Sequence, residues 1–263
     1  MPTTPHRDFN GVDSIDLNCL EVVLVSPRNP LNIGAAARAM ANFGFSRLTV
    51  VAPYEEHWRE ARSAVGAENL LQNAKRTESL AEAVAGCTLV VGTGMLTYRK
   101  PEQPVLPLPE LPPLVERAVA AGGRVALVFG PEKRGLTRQD LSYCHILAEI
   151  PTDARQPSMN LGQAVAVCLY ELAVRPSAPA TNAAQGIAKK FPDEAGVHPV
   201  SGDLDLLAGV IGQVMRAADY SPANMQEANR HDLRLLLRRL APNARDTRRI
   251  LGFFQRVLRR LER

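Results

Sequence analysis

The 263-residue sequence contains no apolar run long enough to cross a bilayer. Nor does the stretch from Met1 to Cys19 carry a hydrophobic segment behind a basic start, so neither a membrane anchor nor a secretory signal is expected. Cysteine is scarce and scattered: four residues, at positions 19, 87, 144 and 168, stand too far apart for a zinc motif or a redox pair. Reduced, mostly buried thiols in a cytoplasmic protein are the expectation. Aromatic residues make up only 5% of a chain that is 46% apolar, which points to an aliphatic globular core. The common cofactor fingerprints are missing too. No Gly-x-Gly-x-x-Gly follows the first strand-like run, no Gly-x-Ser-x-Gly elbow occurs, and no His/Cys/Asp cluster has metal spacing, so no metal is expected. Gly130, Gly135 and Thr137 mimic a phosphate loop, but Leu136 stands where the lysine belongs. Without that charge the loop cannot hold a triphosphate in the usual way.

What charge there is gathers at one end. From Ala228 to Arg263 there are eleven arginines, no lysine and three acids, a net +8 that leaves the other 227 residues at −4 against a whole-chain charge of +4. A basic tail on a nearly neutral body suits a polyanionic partner, although a solvated helical face would carry the same charge. Arginine in place of lysine favours phosphate, which its planar fork grips with two hydrogen bonds.

Runs rich in β-branched residues fall at Glu21–Ser26, Leu48–Ala52, Thr88–Gly92, Arg124–Phe129 and Ile146–Ile150. Between them the pattern predicts helices over Ile33–Phe43, Trp58–Val65, Ser79–Val84, Leu111–Ala121 and Arg138–Cys144, and a long helix over Asn160–Val174 closes the series. Strand-like runs separated by helices predict an α/β domain with a mostly parallel sheet. The proline-rich run Pro101–Pro113 reads as a rigid connection, and Arg175–Gly202 as an irregular linker. Beyond it, apolar residues recur at helical spacing three times, the second time at Leu233, Leu236, Leu237 and Leu240, with the arginines placed on the other faces of the last two helices. The expected organisation is a polar lead over 1–18, an α/β domain over 19–175, a linker over 176–202 and a basic helical extension over 203–263.

Three loop-centred constellations carry candidate chemistry. Directly after the first strand, Asn29 to Met40 offers Asn32 as a helix cap, small residues at Gly34, Ala35 and Ala37 for close backbone approach, and Arg38 as the one charge between Leu31 and Ser46. A snorkelling surface arginine would explain Arg38 equally well. The second, Val128 to Leu136, follows a buried strand and has two glycines around Glu132. It is either a ligand crevice at a strand's carboxyl end or an ordinary strand-to-helix turn with Glu132 solvated. The third runs from Ile150 through Pro157, Ser158, Met159 and Asn160 into the long helix, where Asn160 and Gln163 also fit simple capping. Separately, Thr93 ends a strand-like run between Gly92 and Gly94.

In order, spacing and residue type, Asn32–Met40, Phe129–Leu136 and Ile150–Leu161 resemble the three motifs of the SpoU branch of the SPOUT RNA methyltransferases, over roughly Cys19 to Val174. The resemblance implies a deep trefoil knot that no topology rule would suggest. It implies a knot pocket for S-adenosyl-L-methionine and a homodimer whose subunits complete each other's active sites. Thr93, Gly94, Met95, Gly130, Ile150, Pro157, Ser158 and Met159 would line the cofactor pocket. Arg38, Asn32, Glu132, Ser158 and Asn160 match positions placed around the reacting ribose. The early first motif and the basic extension are similar to the branch members that methylate the ribose 2′-hydroxyl at position 32 of the tRNA anticodon loop. Another tRNA or ribosomal RNA ribose, or a knotted RNA-binding protein without activity, remain alternatives. Free arginine hardly accepts a proton at neutral pH, so Arg38 would hold phosphate and stabilise a developing alkoxide, not act as base. Glu132 would fix its loop or Arg38, and Arg99 would take over an RNA contact that relatives make just after the Thr93 segment.

Overall fold

A computed structural model describes residues 16–94, 100–174, 185–187, 198–220 and 222–263. Seven strands form one parallel sheet: β1 (Leu20–Val25), β2 (Leu48–Val51), β3 (Lys75–Thr77), β4 (Leu89–Thr93), β5 (Val105–Pro107), β6 (Val125–Phe129) and β7 (Ile146–Glu149), in the order β3-β2-β1-β6-β4-β7-β5. The central strands β1 and β6 are buried at every position, which their continuous aliphatic sequences demand of a sheet covered on both sides. Alternate residues divide between two cores. Leu20, Val22 and Leu24 of β1 face one, with helices α1 (Pro30–Asn42), α2 (Glu68–Gln72), α4 (Pro112–Ala120) and α6 (Leu161–Ala173). Val23 and Val25 face the other, with α3 (Leu80–Val84) and α5 (Arg138–Leu141).

Two expectations are corrected. Trp58–Val65 is not a helix: only Trp58–Glu60 makes a 3-10 turn, and the helix-like spacing of apolar residues arises because Trp58 and Ala64 are buried in the core that α1 shares. The proline-rich run is not merely a connection. It supplies β5, a 3-10 turn at Leu108–Glu110 and the start of α4, whose Pro112 and Pro113 lie in the first helical turn, where a missing N–H costs nothing.

α1 and α6 pack closely on one side of the sheet. A Cβ on Gly162 would lie 2.7 Å from that of Ala35, so the glycine is required by the approach of the two helices.

The last three helices are α7 (Ser201–Ala217), α8 (Gln226–Leu240) and α9 (Ala244–Leu261). They enclose a small core of Leu204, Leu207, Ala208 and Leu237, with Ile211, Ile250 and Phe254 against it. Helix α7 starts inside the segment read as linker and docks at once on the catalytic domain: Ser201 N–H donates to the Cys87 carbonyl at 2.8 Å, and Gly202 N–H to that of Ala85 at 3.0 Å.

Contrary to expectation, not all arginines of α8 lie on the outer face. Arg234 and Arg238 are each only 5% exposed, while Leu236 and Leu240 of the apolar pattern are 37% and 64% exposed. Burial is possible because both guanidinium groups are partnered. Arg234 donates to Ser142 Oγ at 2.8 Å and lies over the Tyr143 ring. Arg238 donates to the Tyr143 carbonyl at 3.0 Å, to Ser201 Oγ at 2.7 Å and to Asp205 at 2.9 Å. The other nine arginines after Ala228 are exposed.

Candidate active site

Strands β1, β4, β6 and β7 all point their carboxyl ends to one side of the sheet, where open α/β folds form ligand crevices. The loop after β1 turns at Ser26, whose φ of 44° is left-handed, then passes through Arg28 and Asn29 into α1. The cap of α1 is Asn29, not Asn32: the Asn29 side chain accepts from Leu31 N–H, and Pro30 occupies the first turn. That frees Asn32 to reach across the site.

Glu132, in the loop after β6, gathers what surrounds it. Its carboxylate accepts from Asn32 Nδ2 at 2.8 Å and from the backbone N–H groups of Arg28 and Asn29, both at 3.1 Å. Partial burial pushes this carboxyl up, but the Asn32 amide and then the N–H groups of Glu132, Arg28 and Asn29 outweigh it and hold the pKa below its usual range. Glu132 is therefore an anion at neutral pH with both oxygens engaged. It is suited to fixing two loops together and not to accepting a proton.

Asn160 completes the chain. Its Oδ1 caps α6 by accepting from Gly162 N–H at 2.9 Å and Gln163 N–H at 3.4 Å, while its Nδ2 donates to Asn32 Oδ1 at 2.9 Å. Capping and site-building are thus done by one side chain. The sequence of contacts Asn160–Asn32–Glu132 ties all three motif loops together.

Beside this junction lies a cavity of about 770 Å³. Thr93, Gly94, Gly130, Ile150, Pro157, Ser158 and Met159 line it, as do Glu132 and the apolar Phe129, Leu136 and Leu161. Met95 and Arg99 fall outside the described residues. The cavity's shape depends on tight backbone. A Cβ on Gly130 would sit 2.2 Å from Gly135 C and Leu136 N, so only glycine lets the loop return on itself. A Cβ on Gly94 would meet nothing within 4 Å, so a side chain there would project into open space at the cavity that Gly94 lines. The Thr93 hydroxyl is spent on the Val128 carbonyl at 2.9 Å, which leaves backbone groups to face a ligand. Sequence reasoning missed the contributions of Arg28 and Asn29, because a backbone N–H leaves no residue-type signal, and of Val105 and Pro107 in the edge strand.

Arg38 is not brought to this group. It is exposed on α1, two turns from the exposed Leu31 on the same face, and it does not line the cavity. Glu132 accordingly fixes the first motif's loop through Arg28, Asn29 and Asn32, and not Arg38. Cys87, Cys144 and Cys168 are free and buried, and burial pushes each thiol up to about 12, so none serves as a nucleophile. Among the described residues no cluster could hold a metal ion, and no helix is long and apolar enough to cross a membrane.

Comparison with known proteins matches residues 19–170 to the SpoU rRNA Methylase family. The tRNA (cytidine/uridine-2′-O-)-methyltransferase TrmJ of Escherichia coli (strain K12) is 32% identical over 246 residues, 92% of this chain and 96% of that protein. The tRNA (cytidine/uridine/adenosine-2′-O-)-methyltransferase TrmJ of Pseudomonas aeruginosa (strain UCBPP-PA14) is 41% identical over 157 residues, 59% of this chain and 61% of that relative's length. The crystal structure of TrmJ from Z. mobilis ZM4 superposes with a TM-score of 0.72 at 27% identity, covering 90% of this chain and 98% of that one. With the family pattern spanning the sheet and all three motif loops, and full-length relatives above 30% identity, the chain belongs to the SpoU methylase family.

Proposed function

We propose that the protein is an S-adenosyl-L-methionine-dependent tRNA methyltransferase acting on a ribose 2′-hydroxyl, at position 32 of the anticodon loop. The observation that carries the reading is the Asn160–Asn32–Glu132 junction at the rim of a cofactor-sized cavity, supported by relatives that are tRNA 2′-O-methyltransferases. The residues present suit the cofactor: Gly130 and Ile150 offer backbone groups, Phe129, Leu136 and Leu161 an apolar wall, and Gly94 leaves room. Bound there, the cofactor supplies an activated methyl group. The chain's own residues do the positioning, which accounts for much of the rate in such a transfer. Asn32 and Asn160, locked by each other and by Glu132, orient the ribose, and Ser158, exposed at the cavity, offers it a hydroxyl.

The same reading gives the chain a trefoil knot. Its support is that β7, last in sequence, lies between β4 and β5 before the loop to α6 lines the cavity. It also makes the protein a homodimer, because Arg38 lies outside its own cavity and a second copy would bring that cation to the reacting ribose. The exposed Leu31, Val167 and Tyr170 on α1 and α6 give such a pair an apolar face. The domains are a catalytic unit over 19–175 and a basic extension over 203–263 that holds tRNA through the arginines of α9.

The deciding experiment incubates the full chain with labelled cofactor and tRNA, then maps ribose methylation by its resistance to alkaline hydrolysis. Label at the 2′-oxygen of nucleotide 32 is expected; cofactor binding without transfer to tRNA overturns the reading. Mixing two inactive variants tests the shared site. Arg38→Ala is expected to lose on the order of 10²–10³ in turnover, and Gly94→Val to block the cavity. Activity should return in the mixture, because one composite site is then intact; a mixture that stays inactive rules out sharing.

A further inference from the structure

A second cavity, of about 430 Å³, opens where α8 comes down on the catalytic domain. It shares Arg134, Leu136 and Leu141 with the first, so the two adjoin across the loop that carries Glu132. Lys100, Arg134 and Arg138 enter it from the catalytic domain with Glu102 as the acid among them, and His231 enters from α8. The arrangement of Arg138 distinguishes this cavity from a structural ion pair. Its Nε donates to His231 Nε2 at 3.2 Å, and among the described residues its terminal nitrogens make no hydrogen bond. His231 can accept only as neutral imidazole. Burial, then the Arg138 and Arg234 charges, lower its pKa against the opposing pull of Asp232 and Glu102, so it stays neutral.

The contrast with Arg238 is direct. There a carboxylate, Asp205, answers the charge. Here an uncharged ring orients the guanidinium and, among the described residues, no carboxylate forms an ion pair with it, which leaves free the two-nitrogen end that matches phosphate geometry.

We propose that this cavity is a phosphate subsite that holds a phosphodiester of the RNA strand beside the nucleotide being methylated, so that α8 takes part in substrate placement. The proposal rests on the tRNA methyltransferase reading above. An RNA phosphodiester fits better than a free anion because the cavity adjoins the candidate transfer site and lies at the foot of an extension that, apart from the buried Arg234 and Arg238, carries its arginines exposed.

The test uses full-length Arg138→Gln and Arg138→Lys with the wild-type protein, measuring tRNA affinity across a salt series, cofactor affinity, melting temperature and single-turnover rate at saturating tRNA. For Arg138→Gln, tRNA binding should weaken about fivefold at 0.15 M salt and the slope of log K against log salt should fall by about 0.7–0.9, the signature of one lost phosphate contact. Cofactor affinity should stay within twofold and melting temperature within experimental error, the saturated rate should fall severalfold because the strand is less well placed, and Arg138→Lys should recover most of the slope and of the rate. Unchanged tRNA affinity and slope overturn the subsite, and so does a fall in melting temperature with a matching loss of cofactor binding, which would make Arg138 structural. A variant that loses binding of inorganic phosphate but keeps tRNA affinity assigns the cavity to a free anion and also overturns it. Wild-type protein that binds tRNA but transfers no methyl group defeats the function reading alone, because the salt series still tests the subsite.

Discussion

Helices α8 and α9 are both arginine-rich, and they use the residue in opposite ways. In α8, Arg234 and Arg238 point inward: Ser142 and the Tyr143 carbonyl tie them to the catalytic domain, and Ser201 and Asp205 tie Arg238 to α7. In α9 the six arginines from Arg245 to Arg260 are all exposed, on the side away from Ile250, Leu251 and Phe254. Charge counts alone cannot separate an anchor from a ligand-facing stripe. What separates them is whether the neighbouring element brings acceptors, as Ser142, the Tyr143 carbonyl and Asp205 do for α8.

That contrast can be broken by substitution, starting where the effect is largest. Arg238→Ala strips Asp205 and the fully buried Ser201 of their shared partner and should cost about 3–5 kcal/mol, read from urea unfolding of the whole chain. Arg234→Ala leaves the buried Ser142 hydroxyl without its donor and should cost about 1–3 kcal/mol by the same measurement.

The buried cluster should also make stability depend on pH. Burial above all, then Arg238 and His198, hold His145 well below 6.5, so the folded protein keeps it neutral while its Nδ1 accepts from Val90 N–H. The unfolded chain takes up a proton as pH falls through about 6.5 and the folded chain does not, so stability should fall by up to about 1.4 kcal/mol per pH unit below that point. His145→Gln should flatten this dependence; an unchanged slope assigns it elsewhere. Replacing Arg248, Arg249, Arg256 and Arg259 by Gln should leave the unfolding midpoint where it was, while tRNA binding weakens and its salt slope becomes shallower. If the midpoint falls instead, α9 belongs with α8.

The same contrast marks what the sequence could disclose. Strands β1, β2, β4, β6 and β7 stand within a residue of the β-branched runs that announce them, because doubly covered strands need continuous aliphatic sequence. The edge strands Lys75–Thr77 and Val105–Pro107 gave no such signal: each is three residues long, and one carries a lysine and an arginine and the other a proline. In the site, the three motif loops were legible as motifs, but the cap moved from Asn32 to Asn29. Glu132's backbone donors were invisible, since any residue type can supply them. The inward arginines of α8 were hidden by a helical pattern of leucines, two of which, Leu236 and Leu240, the fold leaves exposed. A catalytic domain cut free of the extension would lose the backbone partners at Ala85 and Cys87 and uncover Ser142.

The span of the Glu132 contacts has a consequence for how the protein matures. Asn32 and Glu132 are 100 residues apart, and Asn32 and Asn160 are 128 apart, so no local folding unit contains the junction. Contacts of such long sequence separation form late, after the loop-closure entropy of the intervening chain has been overcome. A chain emerging from the ribosome therefore has no working fragment: until α6 is in place, Asn32 has one of its two partners and the rim of the cavity is open. Activity then reports complete folding, and a half-made chain has no assembled site at which to modify tRNA.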